Sequence, residues 1–185
     1  MSREGRTEER RLVRRGRGFE IYVERVRLPN GHTVELDIVR HPGAAAVVPF
    51  RSADEVLLIR QYRHAAGGTI LEVPAGKLDG EAPEVCAARE LEEETGYRPG
   101  RLERLGSILT TPGFTDERIH LFAAFDLESG TRALEEAEVI EVVPVRLAEA
   151  LRMIWSGELV DAKSVAALLH AAHHLGRLVE RDAED

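Results

Sequence analysis

The chain has 185 residues, of which 43% are hydrophobic, so it can bury one sizeable core but is short for two substantial domains. Its formal net charge of −8 argues against a general nucleic-acid surface, because neutralising phosphates requires clustered Lys and Arg. The single cysteine, Cys86, excludes an internal disulfide, and with no apolar leader or long apolar run we expect a cytoplasmic location and no membrane partner.

The N-terminal part predicts a tail followed by a hairpin. Residues 1–10 are polar and charged without apolar periodicity, which predicts a disordered tail. Apolar residues then alternate from Phe19 to Val23 and from Val34 to Ile38, on either side of a Pro-Asn-Gly turn. We therefore predict an antiparallel β-hairpin in an N-terminal extension over residues 11–41. Because a hairpin is unstable alone, it must pack on its own domain or on a second subunit.

The remaining segment, residues 42–180, interleaves strands with helices. Apolar runs and spacing predict strands at 44–50, 56–62, 70–76, 102–110, 119–125 and 139–145, and helices at 83–95, 147–156 and 162–178. This order favours an α/β fold, in the form of an α/β/α sandwich around a mixed sheet.

The helix predicted from Pro83 to Thr95 carries a face of carboxylates. Pro83 suits a first helical position, and Gly96 suits the left-handed residue that ends a helix. Spacings of three and four residues place Glu90, Glu93 and Glu94 on one face. The face is either a solvated acidic surface or a site for a hard divalent cation such as Mg²⁺, which favours oxygen ligands.

The string Arg89-Glu90-Leu91-Glu92-Glu93-Glu94-Thr95-Gly96-Tyr97, preceded by Gly76 and Glu81, resembles the Nudix box. It departs from the family's pattern in two places, because the loop between Gly76 and Glu81 is one residue shorter and Tyr97 replaces an aliphatic residue. We expect the shorter loop to remodel the turn before the helix and to leave the carboxylate face intact. The resemblance also implies a Nudix-type sandwich.

The resemblance implies a metal site on this face. Its ligands would be Glu90, Glu94, Glu93 and the backbone carbonyl of Ala75, and its ion would be Mg²⁺, with Mn²⁺ as a substitute. Arg89 lies four residues before Glu93, so it can pair with that carboxylate and hold it in place.

A second motif resembles the mark of one subfamily, the ADP-ribose pyrophosphatases. Pro112 stands sixteen residues after Gly96 and opens the run Pro-Gly-Phe-Thr-Asp-Glu. The resemblance implies substrate binding by this run, by the Arg that follows the strand at 56–62 and by the Glu within the strand at 70–76. The residues expected to bind substrate are Arg63, Glu72, Pro112, Phe114 and Glu117. The subfamily's N-terminal sheet takes part in dimerisation, so we also expect a homodimer.

The acidic segment from Glu128 to Glu138 reads as a mobile loop before the strand at 139–145. In the subfamily the matching loop delivers the glutamate that activates water. Aligning the following strand assigns this general base to Glu136, with Glu138 as the alternative.

These features together predict Mg²⁺-dependent hydrolysis of ADP-ribose to AMP and ribose 5-phosphate. One alternative is a Nudix hydrolase of another nucleoside diphosphate derivative, such as a nucleotide sugar or a flavin dinucleotide. Another is a catalytically silent domain that senses a nucleotide sugar. Neither a nucleic acid nor a membrane is expected as a partner.

Overall fold

The computed structural model describes residues 4–134 and 139–178. The strands within this part are β1 (Arg6–Arg15), β2 (Glu20–Arg27), β3 (Thr33–Arg40), β4 (Ala44–Pro49), β5 (Glu55–Arg63), β6 (Gly68–Glu72), β7 (Ala75–Lys77), β8 (Tyr97–Leu109), β9 (Arg118–Ser129) and β10 (Ile140–Arg146). The α-helices are α1 (Pro83–Thr95), α2 (Leu147–Ser156) and α3 (Ala162–His174).

The chain forms two compact units. The N-terminal unit combines the residues up to Gly43 with the segment Leu109–Arg118, and the larger unit combines Ala44–Ile108 with the residues from Ile119 onward. The first unit extends to Gly43 before the chain enters the second. The domain organisation expected from the sequence, with its boundary between residues 41 and 42, stays a prediction. Sequence alone did not indicate that Leu109–Arg118, which holds the Pro112 motif, belongs with the N-terminal sheet.

The N-terminal unit contains a three-stranded antiparallel sheet in the order β1-β2-β3. The hairpin of β2 and β3 was predicted, but the prediction of a disordered tail is wrong from Arg6 onward, because β1 pairs with β2 along its length. Every residue of β1 is exposed, so burial cannot be what orders this strand. Backbone pairing and ion pairs order it, and neither leaves an apolar period in the sequence.

Two carboxylates of this sheet anchor β1 through charge. Glu24 is 2% exposed, forms an ion pair with Arg10 at 2.9 Å and accepts a hydrogen bond from Arg40 at 2.6 Å. Glu8 on β1 accepts from Arg27 of β2 at 3.1 Å. The basic residues at the start of the chain are therefore partly neutralised by Glu within the same sheet.

The register places apolar residues on both faces of the N-terminal sheet. Tyr22 pairs with Ile38, whereas Ile21 pairs with Val39. Directly paired residues of antiparallel strands share a face, so the two predicted alternating sets point to opposite sides. The sheet thus has no purely polar face.

The larger unit is an α/β/α sandwich, which confirms the predicted fold class. Its mixed sheet has the order β7-β4-β9-β8, with β4 parallel to β9 and antiparallel to β7, and a second sheet has the order β10-β5-β6. Ala44, Ala46 and Val48 of β4 pack with α2 and α3, whereas the alternate residues Ala45 and Val47 pack with α1. Alternate side chains of this fully buried strand therefore face two different layers of helix.

Helix α1 has the predicted bounds, whereas α3 ends earlier than predicted. Pro83 occupies the first turn of α1, and Gly96 ends the helix in the left-handed conformation at φ 80°. Helix α3 stops at His174 rather than continuing to Leu178. Among the described helices, none is long and apolar enough to cross a membrane.

A buried ionic network joins β5, β6 and α3. Glu72, which is 1% exposed, accepts from Arg63 Nε at 2.8 Å and Nη2 at 2.7 Å, and from Lys163 Nζ at 2.8 Å. Asp161 caps α3 by accepting from the Ser164 amide at 3.0 Å, and it accepts from Lys163 at 2.9 Å. Burial favours a neutral Glu72, but the bonds from Arg63 and the charge of Lys163 outweigh it and hold the pKa of Glu72 below its ordinary value.

This network predicts a pH-dependent loss of stability in Glu72→Gln. At pH 7 the substitution should cost about 2–3 kcal/mol of unfolding free energy, less than for a fully buried pair because Arg63 is 40% exposed. A carboxylate whose folded pKa is lowered stabilises the fold above its unfolded pKa of about 4.3, and it loses that contribution as the pH falls towards the folded pKa. The gap between variant and wild type should therefore shrink below about pH 4, as measured by urea unfolding.

Glu141→Gln is a matched control, because Glu141 pairs with Arg60 at 2.6 Å on the same sheet but is 65% exposed. It should change stability by less than about 0.5 kcal/mol at either pH. A Glu72→Gln deficit that stays constant from pH 7 to pH 3 would contradict the ionic account.

Candidate functional site

The carboxylate face of α1 lies against β7, which begins within the strand predicted at 70–76. The backbone amide of Ala75 donates to Glu94 Oε2 at 3.0 Å, and Glu94 is 2% exposed. A Cβ placed on Gly76 would overlap the carboxylate of Glu90. Gly76 is therefore required so that the backbone can approach Glu90 closely.

Cys86 holds the same strand to the helix. Its thiol is fully buried and donates to the carbonyls of Lys77 at 3.3 Å and Gly76 at 3.5 Å. Burial, with a contribution from the charge of Glu90, raises the pKa of Cys86 to about 12. The thiol is therefore protonated at neutral pH and acts as a small packing residue with a weak donor.

Arg89 organises the carboxylates around it. Its guanidinium donates to Glu81 at 2.6 and 3.0 Å and to Glu93 at 2.7 Å, and it lies 2.8 Å from Glu90. The predicted pairing of Arg89 with Glu93 is confirmed. The bond to Glu81, followed by the charge of Glu90, raises the pKa of Arg89, and the Arg89 bond lowers the pKa of Glu81. The shorter loop thus still delivers Glu81 to Arg89.

The donors at this face fit a hard divalent cation. Glu90 and Glu94 both reach the backbone of residues 75 and 76, where the Ala75 carbonyl lies in the same short strand. In residues 4–134 and 139–178, no group of three or more His, Cys, Asp and Glu side chains is placed so that it could hold a metal ion by itself. Carboxylate and carbonyl oxygens in an open set suit Mg²⁺, which keeps several waters and takes further oxygens from phosphates.

The predicted substrate residues Arg63 and Glu72 contact each other through a bidentate fork. The hydrogen bond that Arg63 donates to Glu72 raises the pKa of Arg63, and the charges of Glu94 and Asp161 act in the same direction. Arg63 is thus within electrostatic range of the α1 face. Sequence reasoning missed Lys163, because this residue lies 91 positions from its partner Glu72 and no local spacing links the two.

The predicted substrate loop belongs to the N-terminal unit. Asp116 accepts from Arg40 Nη1 at 3.0 Å and from the His41 amide at 2.9 Å, which ties the loop to the end of β3. Thr110 donates to Glu117 at 2.9 Å and closes the base of the loop. Phe114 at its tip is 52% exposed. Pro112, Phe114 and Glu117 therefore lie on a loop that is held by β3.

The proposed base Glu136 and its alternative Glu138 lie outside the described residues. The chain just before them contacts the last turn of α1, since the Ala133 amide donates to the Glu93 carbonyl at 3.0 Å. The chain after them begins β10 at Ile140, which pairs with Gln61 of β5.

Comparison with known proteins agrees with this geometry. The chain is 42% identical over 170 residues to an ADP-ribose pyrophosphatase of Bacillus subtilis, covering 90% of this chain and 92% of the relative. It is 39% identical over 152 residues to a GDP-mannose pyrophosphatase of Cronobacter sakazakii, covering 72% and 79% of the two chains.

A solved structure titled as an ADP compounds hydrolase superposes with a TM-score of 0.81 at 23% identity, covering 95% of this chain and 97% of the other. That likeness supports the fold. The profile of the NUDIX domain matches residues 39–168, which include the carboxylate face of α1, β7 and Arg89. With this match and the sequence relatives above, the chain belongs to the Nudix family.

Proposed function

We propose that the protein is a Mg²⁺-dependent hydrolase that cleaves the diphosphate of ADP-ribose to AMP and ribose 5-phosphate. The observation that carries the proposal is the approach of Glu90 and Glu94 to the backbone of β7, with Arg89 holding the neighbouring carboxylates. Relatives from Bacillus subtilis and Mycobacterium tuberculosis, at 42% and 35% identity, bear the name ADP-ribose pyrophosphatase and support the choice of substrate.

The proposed metal ligands are Glu90, Glu94, Glu93 and the Ala75 carbonyl. When bound, Mg²⁺ or Mn²⁺ would neutralise the diphosphate and lower the pKa of an attacking water. Glu90 and Glu94 supply the negative charge that attracts the cation to this face of α1. Arg89 limits the repulsion among these carboxylates and fixes their orientation.

The proposed substrate contacts in the larger unit are Arg63 and Glu72. Arg63 is our candidate for a phosphate contact, because a planar guanidinium held by Glu72 is already oriented before substrate arrives. Lys163 adds a second cation to this network. On the other unit, Pro112, Phe114 and Glu117 remain candidates for substrate selection, with the exposed ring of Phe114 available for stacking on a base.

The proposed general base is Glu136. A base must hold a lone pair of adequate proton affinity near the attacking water, and carboxylates that bind a cation have lost both properties. Glu90 and Glu94 are therefore poor candidates, and the acidic segment before β10 supplies others. If Glu136 and Glu138 are both excluded, the next candidates are Glu117 and Glu93, and Glu93 can be the base only if it is not a metal ligand.

A second substrate class has support from the relatives. Several enterobacterial proteins at 36–39% identity are named GDP-mannose pyrophosphatase, so another nucleoside diphosphate sugar is the main alternative. The catalytically silent sensor is less well supported, because the box retains Arg89, Glu90, Glu93 and Glu94, and these residues form hydrogen bonds or ion pairs.

Assembly and location also remain proposals. Leu12 and Leu36 of the N-terminal sheet are 42% and 36% exposed and share one face by their register, which suits contact with a second copy of the chain. The single, buried Cys86 is compatible with a cytoplasmic location.

The substrate is tested by incubating the purified wild type with ADP-ribose, GDP-mannose, other nucleotide sugars and flavin adenine dinucleotide, with and without Mg²⁺. Chromatography should show AMP and ribose 5-phosphate from ADP-ribose only when metal is present. Preferential cleavage of GDP-mannose would replace the substrate and keep the chemistry. If no compound is cleaved with Mg²⁺ or Mn²⁺, the sensor alternative replaces the enzyme.

Glu94→Gln should retain the fold and lose about 10²-fold or more in kcat, because it removes a charge from the metal face without changing volume. The measurement is steady-state hydrolysis at saturating Mg²⁺, with circular dichroism as a check on folding. Glu84→Gln in the first turn of the same helix is the control and should keep normal activity. Normal turnover by Glu94→Gln would remove Glu94 from the proposed ligands.

Glu136→Gln should lower kcat by about 10²- to 10⁴-fold, the range for loss of a general base, and leave KM and metal affinity nearly unchanged. Glu138→Gln is the paired variant and should be near normal. If Glu136→Gln keeps the wild-type kcat and Glu138→Gln loses it, the general base is Glu138. Two harmless variants would place the base elsewhere.

Light scattering at micromolar concentration should give twice the chain mass of 20.5 kDa. Replacing Leu12 and Leu36 with Glu should shift the protein towards a monomer, because the charges would be buried in the proposed interface. Val85→Glu, at an apolar residue of α1 that is 56% exposed, should leave the mass unchanged. A monomeric wild type would contradict the dimer.

A further inference from the structure

The last turn of α1 carries an unfavourable distribution of charge. Glu92, Glu93 and Glu94 lie in this turn, and it contains no basic residue. The carbonyl end of a helix holds partial negative charge, so carboxylates there are destabilising and cations are stabilising. The final carbonyls also lack partners within the helix. The turn that carries two of the proposed metal ligands therefore needs support from elsewhere.

The segment of residues 130–133 supplies that support. The amide of Gly130 donates to the carbonyl of Gly96 at 2.8 Å, and the amide of Ala133 donates to the carbonyl of Glu93 at 3.0 Å. The amide of Thr131 donates to Glu92 Oε1 at 3.1 Å. Three successive contacts thus hold this segment against the end of α1.

Arg132 adds the missing cation and a second attachment. Its Nε donates to the carbonyl of Glu94 at 2.9 Å, and its Nη2 donates to the carbonyl of Ile140 at 2.5 Å. A Cβ on Gly96 would only contact the Arg132 Cβ, at 3.6 Å, so the positive φ of 80° and not the approach of Arg132 is what requires glycine there. Ile140 is the first residue of β10 and pairs with Gln61 of β5. One guanidinium therefore joins the end of the metal helix to the β10-β5-β6 sheet.

We propose that Arg132 is a positioning residue for the metal-binding face of α1. By bonding the Glu94 carbonyl and β10 together, it fixes the last turn of the helix, and with it the carboxylates of Glu93 and Glu94. Mg²⁺ demands near-ideal octahedral geometry, so a displaced carboxylate weakens binding even when its charge is kept. The inference rests on the metal site of the proposed function.

The two contacts require the shape of arginine. The Nε and Nη2 atoms reach two carbonyls on different elements at once, which the single ammonium of lysine cannot reproduce. Lysine would still stabilise the end of the helix through its charge. Comparing the two residues therefore separates positioning from electrostatic capping.

Arg98 offers a matched control in the same region. It lies near the start of β8, three residues after the end of α1, and forms an ion pair with the Glu92 carboxylate at 3.0 Å, with 57% of its own side chain exposed. Arg98 thus brings a cation to the same end of the helix, but its contact is with the Glu92 carboxylate and not with a helix carbonyl. Arg98→Met removes similar charge and keeps an apolar stem.

The experiment measures Mn²⁺ binding without substrate, through the electron paramagnetic resonance signal of free Mn²⁺, for wild type, Arg132→Met, Arg132→Lys and Arg98→Met. Arg132→Met and Arg132→Lys should weaken Mn²⁺ binding by about 10-fold, and Arg98→Met should match the wild type. On the substrate that the wild type cleaves, both Arg132 variants should lose about 10-fold or more in kcat with KM within about threefold.

A purely structural cap predicts another pattern. Both Arg132 variants would then melt at lower temperature but keep wild-type Mn²⁺ affinity and kcat at 25 °C, and that result would overturn the proposal. Recovery of Mn²⁺ affinity by Arg132→Lys alone would also overturn it, because charge would then suffice. If the wild type binds Mn²⁺ but cleaves no compound, the proposed substrate fails while the binding series still tests Arg132.

Discussion

The repulsion among carboxylates on one short helix is the constraint on which the larger unit depends. Glu90, Glu93 and Glu94 crowd one side of α1, and such like-charge pairs destabilise an isolated helix by a few tenths of a kcal/mol each. The structure offsets the repulsion with hydrogen bonds to backbone and guanidinium groups rather than by separating the charges. The Ala75 amide bonds Glu94, and Arg89 bonds Glu93 and lies beside Glu90. What remains is a concentrated negative face that a divalent cation can complete.

Two other carboxylates are stabilised in the same way, by partners from different elements. Buried Glu72 lies between Arg63 and Lys163, and Glu24 in the N-terminal sheet lies between Arg10 and Arg40. Each network converts a costly buried charge into a directional link between elements. The chain's excess of acidic residues is therefore tolerated because key carboxylates have specific partners.

Much of the fold could be predicted because its signals are local. The bounds of α1 follow from Pro83 and Gly96, whose backbone requirements concern only their own residues. The buried strands β4 and β5 show as apolar runs. Strand β1 could not be found this way, because exposed Arg and Glu that pair with another strand have the composition of a tail. The site divides similarly: Arg89 pairs within one helix, whereas Lys163 and Arg132 contact partners that sequence spacing does not indicate.

The one-residue deletion between Gly76 and Glu81 shows which features of the box are constrained. Gly76 must lack a side chain because Glu90 occupies the space a Cβ would need, so its position relative to α1 is fixed by contact. Glu81 must only reach Arg89, and it does so with bonds of 2.6 and 3.0 Å despite the shorter connection. The turn between them makes its own local bonds, such as the Gly80 amide to the Leu78 carbonyl at 2.7 Å. Loop length is therefore free to vary where both ends are fixed by α1, because the helix holds the geometry that the chemistry needs.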